Sequence, residues 1–114
     1  MGAAEDEASV RAFNEAINAR DPERLGLMMT DDHRFVDPAG AVVEGREACL
    51  DAWRGFFASF PDYRNVFAEV TGDGDGGVEV VGRSECSDPR LAGPARWHAE
   101  ARLGRIATWQ VGDA

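Results

Sequence analysis

The chain has 114 residues, 44% of them hydrophobic and 29% charged, and carries a formal net charge of −9. That length suits one domain with a real core, spanning 1–114, and leaves no room for a second. The negative charge repels polyanions, so nucleic acid and anionic membrane surfaces are excluded as partners, and no apolar run approaches the roughly 20 residues of a membrane span. All 12 basic residues are arginine, as a GC-rich genome favours, which removes lysine Schiff-base chemistry and any P-loop lysine. The opening Met1-Gly2-Ala3-Ala4-Glu5-Asp6-Glu7 is acidic and lacks an apolar signal core, which points to the cytoplasm, with residues 1–5 disordered. Cys49 and Cys86 with His33 and His98 show no ligand spacing, so neither a metal nor an organic cofactor is expected. The thiols read as small buried hydrophobes, not as a disulfide.

From Glu5 to Ala19 the residues Val10, Phe13 and Ile17, flanked by Ala12 and Ala16, recur at three and four positions, the stripe of an amphipathic helix. Asp21-Pro22 then reads as an N-cap followed by proline at the first helical position, and Leu25, Met28 and Met29 give this short second helix a buried side. Thr30-Asp31-Asp32-His33 reads as a polar turn with His33 at the surface. Arg34 to Asp37, stopped by Pro38, and Val42 to Glu44 then make a small hairpin about Gly40. Gly45-Arg46-Glu47 opens a third helix. Its Leu50, Trp53, Phe56, Phe57 and Phe60 form one broad aromatic face that ends before Pro61. Four strands follow, Tyr63 to Thr71, Val78 to Cys86, Ala95 to Leu103 and Arg105 to Val111, with a Gly/Asp-rich turn after the first and a tight turn at Gly104 before the last. Helices first and a meander afterwards specify an α+β domain with helices packed on one face of a curved antiparallel sheet, not a parallel βαβ sheet.

Three stretches together resemble the SnoaL-like branch of the nuclear transport factor 2-like superfamily. They are Phe13 to Asp21, Met29 to Pro38 continuing through Gly45-Arg46-Glu47 to Phe60-Pro61-Asp62-Tyr63-Arg64, and Gly104 to Val111. The resemblance covers nearly the whole chain. It implies a cone-shaped sheet closed by helices, in the manner of a cystatin-like α+β barrel, with a deep apolar pocket and commonly a homodimer through the sheet face. The superfamily also holds ketosteroid isomerases, polyketide cyclases and a limonene epoxide hydrolase.

In the isomerases this chain is similar to, a general-base aspartate precedes a Pro-x-Gly turn, the position of Asp37 in Phe35-Val36-Asp37-Pro38-Ala39-Gly40. Strand alternation puts Phe35 and Asp37 on one side. A carboxylate at the edge of an apolar cavity has its charged form disfavoured, which suits proton abstraction near neutral pH. The bland reading is that Asp37 caps its turn. By the same resemblance, the tyrosine and the protonated aspartate that donate to an oxyanion in ketosteroid isomerases fall on Phe13 and Ala99, neither of which donates, so steroid isomerisation is disfavoured. Arg34 or Arg83 with Asp37 imitates part of the epoxide hydrolase's Asp-Arg-Asp cluster, without matching it in place. His33, His98 and Asp113 are further candidates to cooperate with Asp37. His98 points away from a cavity that Trp97 faces.

The pocket wall is assigned to Phe13, Ile17, Phe35, Trp53, Phe57, Phe60, Trp97, Ala99, Trp109 and Val111, with a gap beside the small Ala99 and Ala101. The functional expectation is a cofactor-independent isomerase or cyclase acting through Asp37 on a small apolar or polyketide-like molecule. Its alternative is a non-catalytic ligand-binding or dimerisation module of the same shape.

Overall fold

The first helix, α1, runs over Ala3–Asn18 in a computed structural model that describes residues 2–113. Its Val10, Phe13, Ala16 and Ile17 are fully buried, as their helical spacing requires. Of the residues expected to be disordered, Met1 lies outside the described ones, whereas Ala3 to Glu5 form the first helical turn, which holds Glu5 and Asp6. Acidic side chains there complement the positive end of the helix dipole, which explains why an acidic opening is compatible with order. Asp21 caps α2 (Pro22–Leu27) by accepting from the Arg24 N–H at 3.1 Å. The third helix, α3, spans Arg46–Ser59 and stops short of Pro61, whose ring disfavours a helical residue before it.

Six strands, β1 (Met29–Val36), β2 (Val42–Glu44), β3 (Arg64–Gly72), β4 (Gly77–Glu85), β5 (Gly93–Arg102) and β6 (Arg105–Asp113), make one sheet in the order β2-β1-β6-β5-β4-β3. The sheet is curved and unclosed. Neighbours are antiparallel except β1 and β6, which run parallel where the last strand returns beside the first. Register shifts fall between Met29 and Arg34, between Phe67 and Glu69, and between Glu100 and Ala101. Such bulges bend strands and tighten twist, so they account for the curvature. Gly82 faces the second of them. A Cβ at Gly82 would sit 2.2 Å from the Val66 carbonyl oxygen, so only glycine lets the two strands approach.

β1 starts earlier than the sequence suggests, taking in Thr30 to His33. His33 is therefore not a surface turn residue but is fully buried. Beside the bulge the His33 ring reaches the Ile106 carbonyl, with Nδ1 2.6 Å from that oxygen. A carbonyl only accepts, so Nδ1 carries the proton and Nε2 is bare, buried and without a partner among the described residues.

The helices divide the inner face between them. α1 packs across β3, β4, β5 and β6, while the main contacts of α3 are with β1, β2 and α2. Under α1 the core is filled with rings: Phe13 lies 4.7 Å from Trp109 and Phe67 4.9 Å from Trp97, centroid to centroid. Under α3 the strands β4 to β6 have no such cover, and the space between is a cavity.

Candidate functional site

The cavity measures about 450 Å³, within the range of small-molecule sites. Phe35, Val43, Trp53 and Phe56 form the wall on the α3 side, Trp109 and Val111 the floor, and the segment Arg90 to Ala95 the far rim. The α3 wall is an interlocked ring cluster: Phe35 meets Trp53 edge-on at 5.7 Å, and Phe56 meets Tyr63 edge-on at 4.7 Å, the tilted geometry aromatic quadrupoles favour.

Asp37 lines the cavity at the turn after β1. The sequence dictates this turn: Pro38 and Gly40 allow the reversal, Gly40 with φ +91°, and Asp37 closes it. Its Oδ1 accepts from the backbone N–H groups of Ala39 and Ala41, each at 2.9 Å. Among the described residues no hydrogen bond reaches Oδ2. Both sequence readings of Asp37, turn cap and cavity carboxylate, thus describe the same side chain.

Sequence reasoning missed the polar end of the cavity. Tyr63 and Ser84 both line it, with the Tyr63 hydroxyl 3.2 Å from Ser84 Oγ, and Ser84 Oγ in turn donates to Asn65 Oδ1 at 3.0 Å. Burial pushes the Tyr63 phenol above its ordinary range, so it stays protonated through neutral pH. The backbone at the start of β3, which carries Tyr63 and Asn65, is braced by the end of α1. Asn18 exchanges hydrogen bonds with the Asn65 backbone, accepting from its N–H and donating to its carbonyl, both at 2.9 Å. The Arg20 guanidinium donates to the carbonyls of Pro61, at 2.7 Å, and Tyr63. A signal for this site was present in the sequence: Ser84 falls in phase with inward-facing Val78 and Val80, a lone polar residue on an apolar face.

Of the wall residues assigned from sequence, the structure brings Phe35, Trp53, Trp109 and Val111 together around the cavity with Asp37. It places Phe13, Ile17, Trp97 and Ala99 in the packed core under α1, where they are essentially inaccessible, because the gap expected beside Ala99 is taken up by the rings of that core. Phe57 is half-buried against Trp53 at 5.5 Å, and Phe60 borders a separate hollow shared with Pro61 and Asp88. Arg34 and Arg83 point to the surface, beside Glu44 at 4.0 Å and Glu85 at 2.9 Å, so neither reaches Asp37. His98 pairs with Glu79 on the outer face. The Asp113 side chain lies outside the described residues. Cys49 and Cys86 are free thiols. Cys49 lies in the cavity wall, its Sγ 3.4 Å from the Val43 carbonyl oxygen, and burial raises its thiol toward the inert protonated form. At the rim Arg90 is held by Asp88 at 2.6 Å, which brings that carboxyl down to about 2. Among the described residues no three His, Cys, Asp or Glu side chains gather as a metal site, and no helix is long and apolar enough to cross a membrane.

Solved structures share this architecture. An LEH-like epoxide hydrolase of M. tuberculosis superposes with a TM-score of 0.84 at 17% identity, over 98% of this chain and 80% of that one. A provisionally named polyketide cyclase of Sinorhizobium meliloti gives 0.81 at 23% identity, over 91% and 93%. A cystatin-fold protein of Novosphingobium aromaticivorans gives 0.79 at 19%, over 93% and 96%. At such identities the likeness is one of fold. No curated protein matches the sequence. The profile of the SnoaL-like domain matches residues 10–109, which takes in α1, the Asp37 turn, the aromatic helix and the strands through Trp109, and the chain therefore belongs to the SnoaL-like domain family.

Proposed function

We propose that the cavity binds a small apolar or polyketide-like molecule and that the chain acts on it as a cofactor-independent isomerase or cyclase with Asp37 as general base. The observation that carries this reading is an apolar cavity of about 450 Å³ with Asp37 as the one carboxylate in its described wall. Two N–H groups fix Oδ1 and orient the side chain, leaving Oδ2 for a substrate proton, the positioned base that proton abstraction requires. Phe13 and Ala99 offer no oxyanion donors, which favours a substrate acidic enough to need little such help.

The same two hydrogen bonds favour a second reading, in which Asp37 is purely a turn cap and the protein binds its ligand without chemistry. Asp37→Asn separates the two, since the amide oxygen keeps the cap while the base is lost. In deuterated water, wild type is expected to accelerate hydrogen–deuterium exchange at the benzylic α-carbons of 2-indanone, which are acidic enough to need little oxyanion help, and Asp37→Asn to fall to background with an unchanged melting temperature. Bound ketone with no acceleration by wild type would establish the second reading. Pairing of two chains through the outer sheet face belongs to either reading, and light scattering on the purified protein tests it.

A further inference from the structure

We infer that the polar end of the cavity, Tyr63 with Ser84, is a ligand hydroxyl site: the preferred occupant is an apolar ring compound whose hydroxyl donates to Tyr63 Oη. The inference rests on the cavity being a ligand site, as proposed above, and adds the chemical class of ligand.

Proton counting along the chain gives the direction. A serine hydroxyl has one proton, and that of Ser84 goes to Asn65 Oδ1 at 3.0 Å. The 3.2 Å contact between Tyr63 and Ser84 therefore uses the phenolic proton, with Ser84 Oγ accepting. Tyr63 Oη has then spent its only donor and keeps lone-pair capacity. Tyr63 and Ser84 both line the cavity, so a ligand group that meets this hydroxyl as an acceptor is a donor. Phe56 stands against the phenol ring and the cavity wall is otherwise mostly apolar, with Leu91 and Ala95 among its residues, which sets the ligand's remainder as apolar. The acceptor is held in place from behind: Asn18 and Arg20 bind the backbone of Tyr63 and Asn65, and Phe56 packs edge-on against the phenol ring. Preorganisation of this kind is what gives one hydrogen bond selectivity in a largely apolar site. A half-turn of the Asn65 amide would reverse the chain, with Nδ2, which has no partner among the described residues, donating to Ser84. The site would then favour a carbonyl ligand, so direction is part of the test.

The probes are indane, 2-indanol and 2-indanone, titrated by NMR into wild type, Tyr63→Phe, Ser84→Ala and the double variant. Melting temperature serves as the check that each variant is folded. In wild type all three bind, and the preference for 2-indanol over indane exceeds that for 2-indanone over indane. In Tyr63→Phe the 2-indanol preference falls about fivefold, the scale of one neutral hydrogen bond, while indane affinity holds, and in the double variant the preference disappears. Ser84→Ala, which cannot take the phenolic proton, shifts preference toward 2-indanone. Indane and 2-indanol losing affinity equally in Tyr63→Phe would overturn the hydroxyl site alone, as would a wild-type preference for 2-indanone. Failure of all three probes to bind wild type would overturn the cavity reading and this inference with it.

Discussion

The core under α1 and the cavity under α3 are built from the same kinds of residue. Each pairs a helix's apolar stripe with tryptophan and alanine from the strands, yet one is solid and the other hollow. Under α1, Phe13, Ile17, Trp97 and Ala99 lie together in the core, and every one of these is sealed from solvent. Under α3, Trp53 and Phe56 face Ala95 and Val111 across open space. Composition does not separate them. What does is reach: α1 lies across the four long strands, whereas α3 is held to one side by β1, β2 and α2. Its rings are spent on each other, and the cavity is what its stand-off leaves.

Truncation should expose this contrast most strongly. Phe13→Ala is expected to cost about 3–5 kcal/mol in denaturant unfolding. Phe56→Ala should cost under about half of that, because its ring already borders empty space and loses fewer contacts. Equal costs would mean that the hollow is not present in solution. Enlargement should run the other way. Ala99→Leu, in the solid region, is expected to lose about 1–3 kcal/mol through overpacking. Ala95→Leu has room to project into the cavity and should fold with stability changed by less than about 1 kcal/mol, while abolishing indane binding.

His33 sharpens the comparison from the solid side. Desolvation lowers its proton affinity, against smaller opposing effects of the Ile106 carbonyl and Asp32. The folded state therefore binds the proton less readily than the unfolded chain. Its contribution is complete above the unfolded value near 6.5 and is lost as pH falls through the folded one, with a slope of at most about 1.4 kcal/mol per pH unit. Urea midpoints measured from pH 8 to pH 5 should drop accordingly in wild type and change less in His33→Gln. A flat wild-type profile would show that His33 is hydrated. The smallest effect belongs to the β5–β6 turn, far from either region. There Leu103 is exposed and held at φ +52°, so Leu103→Asn should raise stability by up to about 1 kcal/mol, read as a small rise in melting temperature without change in probe binding.

The helices, most of the strands and the Asp37 turn were legible because each rests on local rules. Asp21-Pro22 starts α2, Pro61 ends α3, Pro38 and Gly40 make the turn, and alternation along β4 and β5 names the inward positions. Phe35, Trp53, Trp109 and Val111 were placed by those patterns. Phe13, Ile17, Trp97 and Ala99 obey the same patterns, and nothing local says that their side of the molecule is filled. His33 was misread because a bulge, not a turn, accommodates the polar run Thr30 to Asp32. That bulge exists only through its pairing with β6. Tyr63 and Ser84 escaped notice because their meeting depends on the register of β3 against β4, which the Gly82 bulge sets.

The sequence by itself determined most elements, their order, the inward faces and the carboxylate of the Asp37 turn, since periodicity, capping and proline act over a few residues. Only the tertiary structure decided which apolar faces meet and which stand apart, and with that where the cavity lies and that a tyrosine hydroxyl shares it with Asp37. Those depend on helix reach and strand register, which are set by contacts between residues distant along the chain.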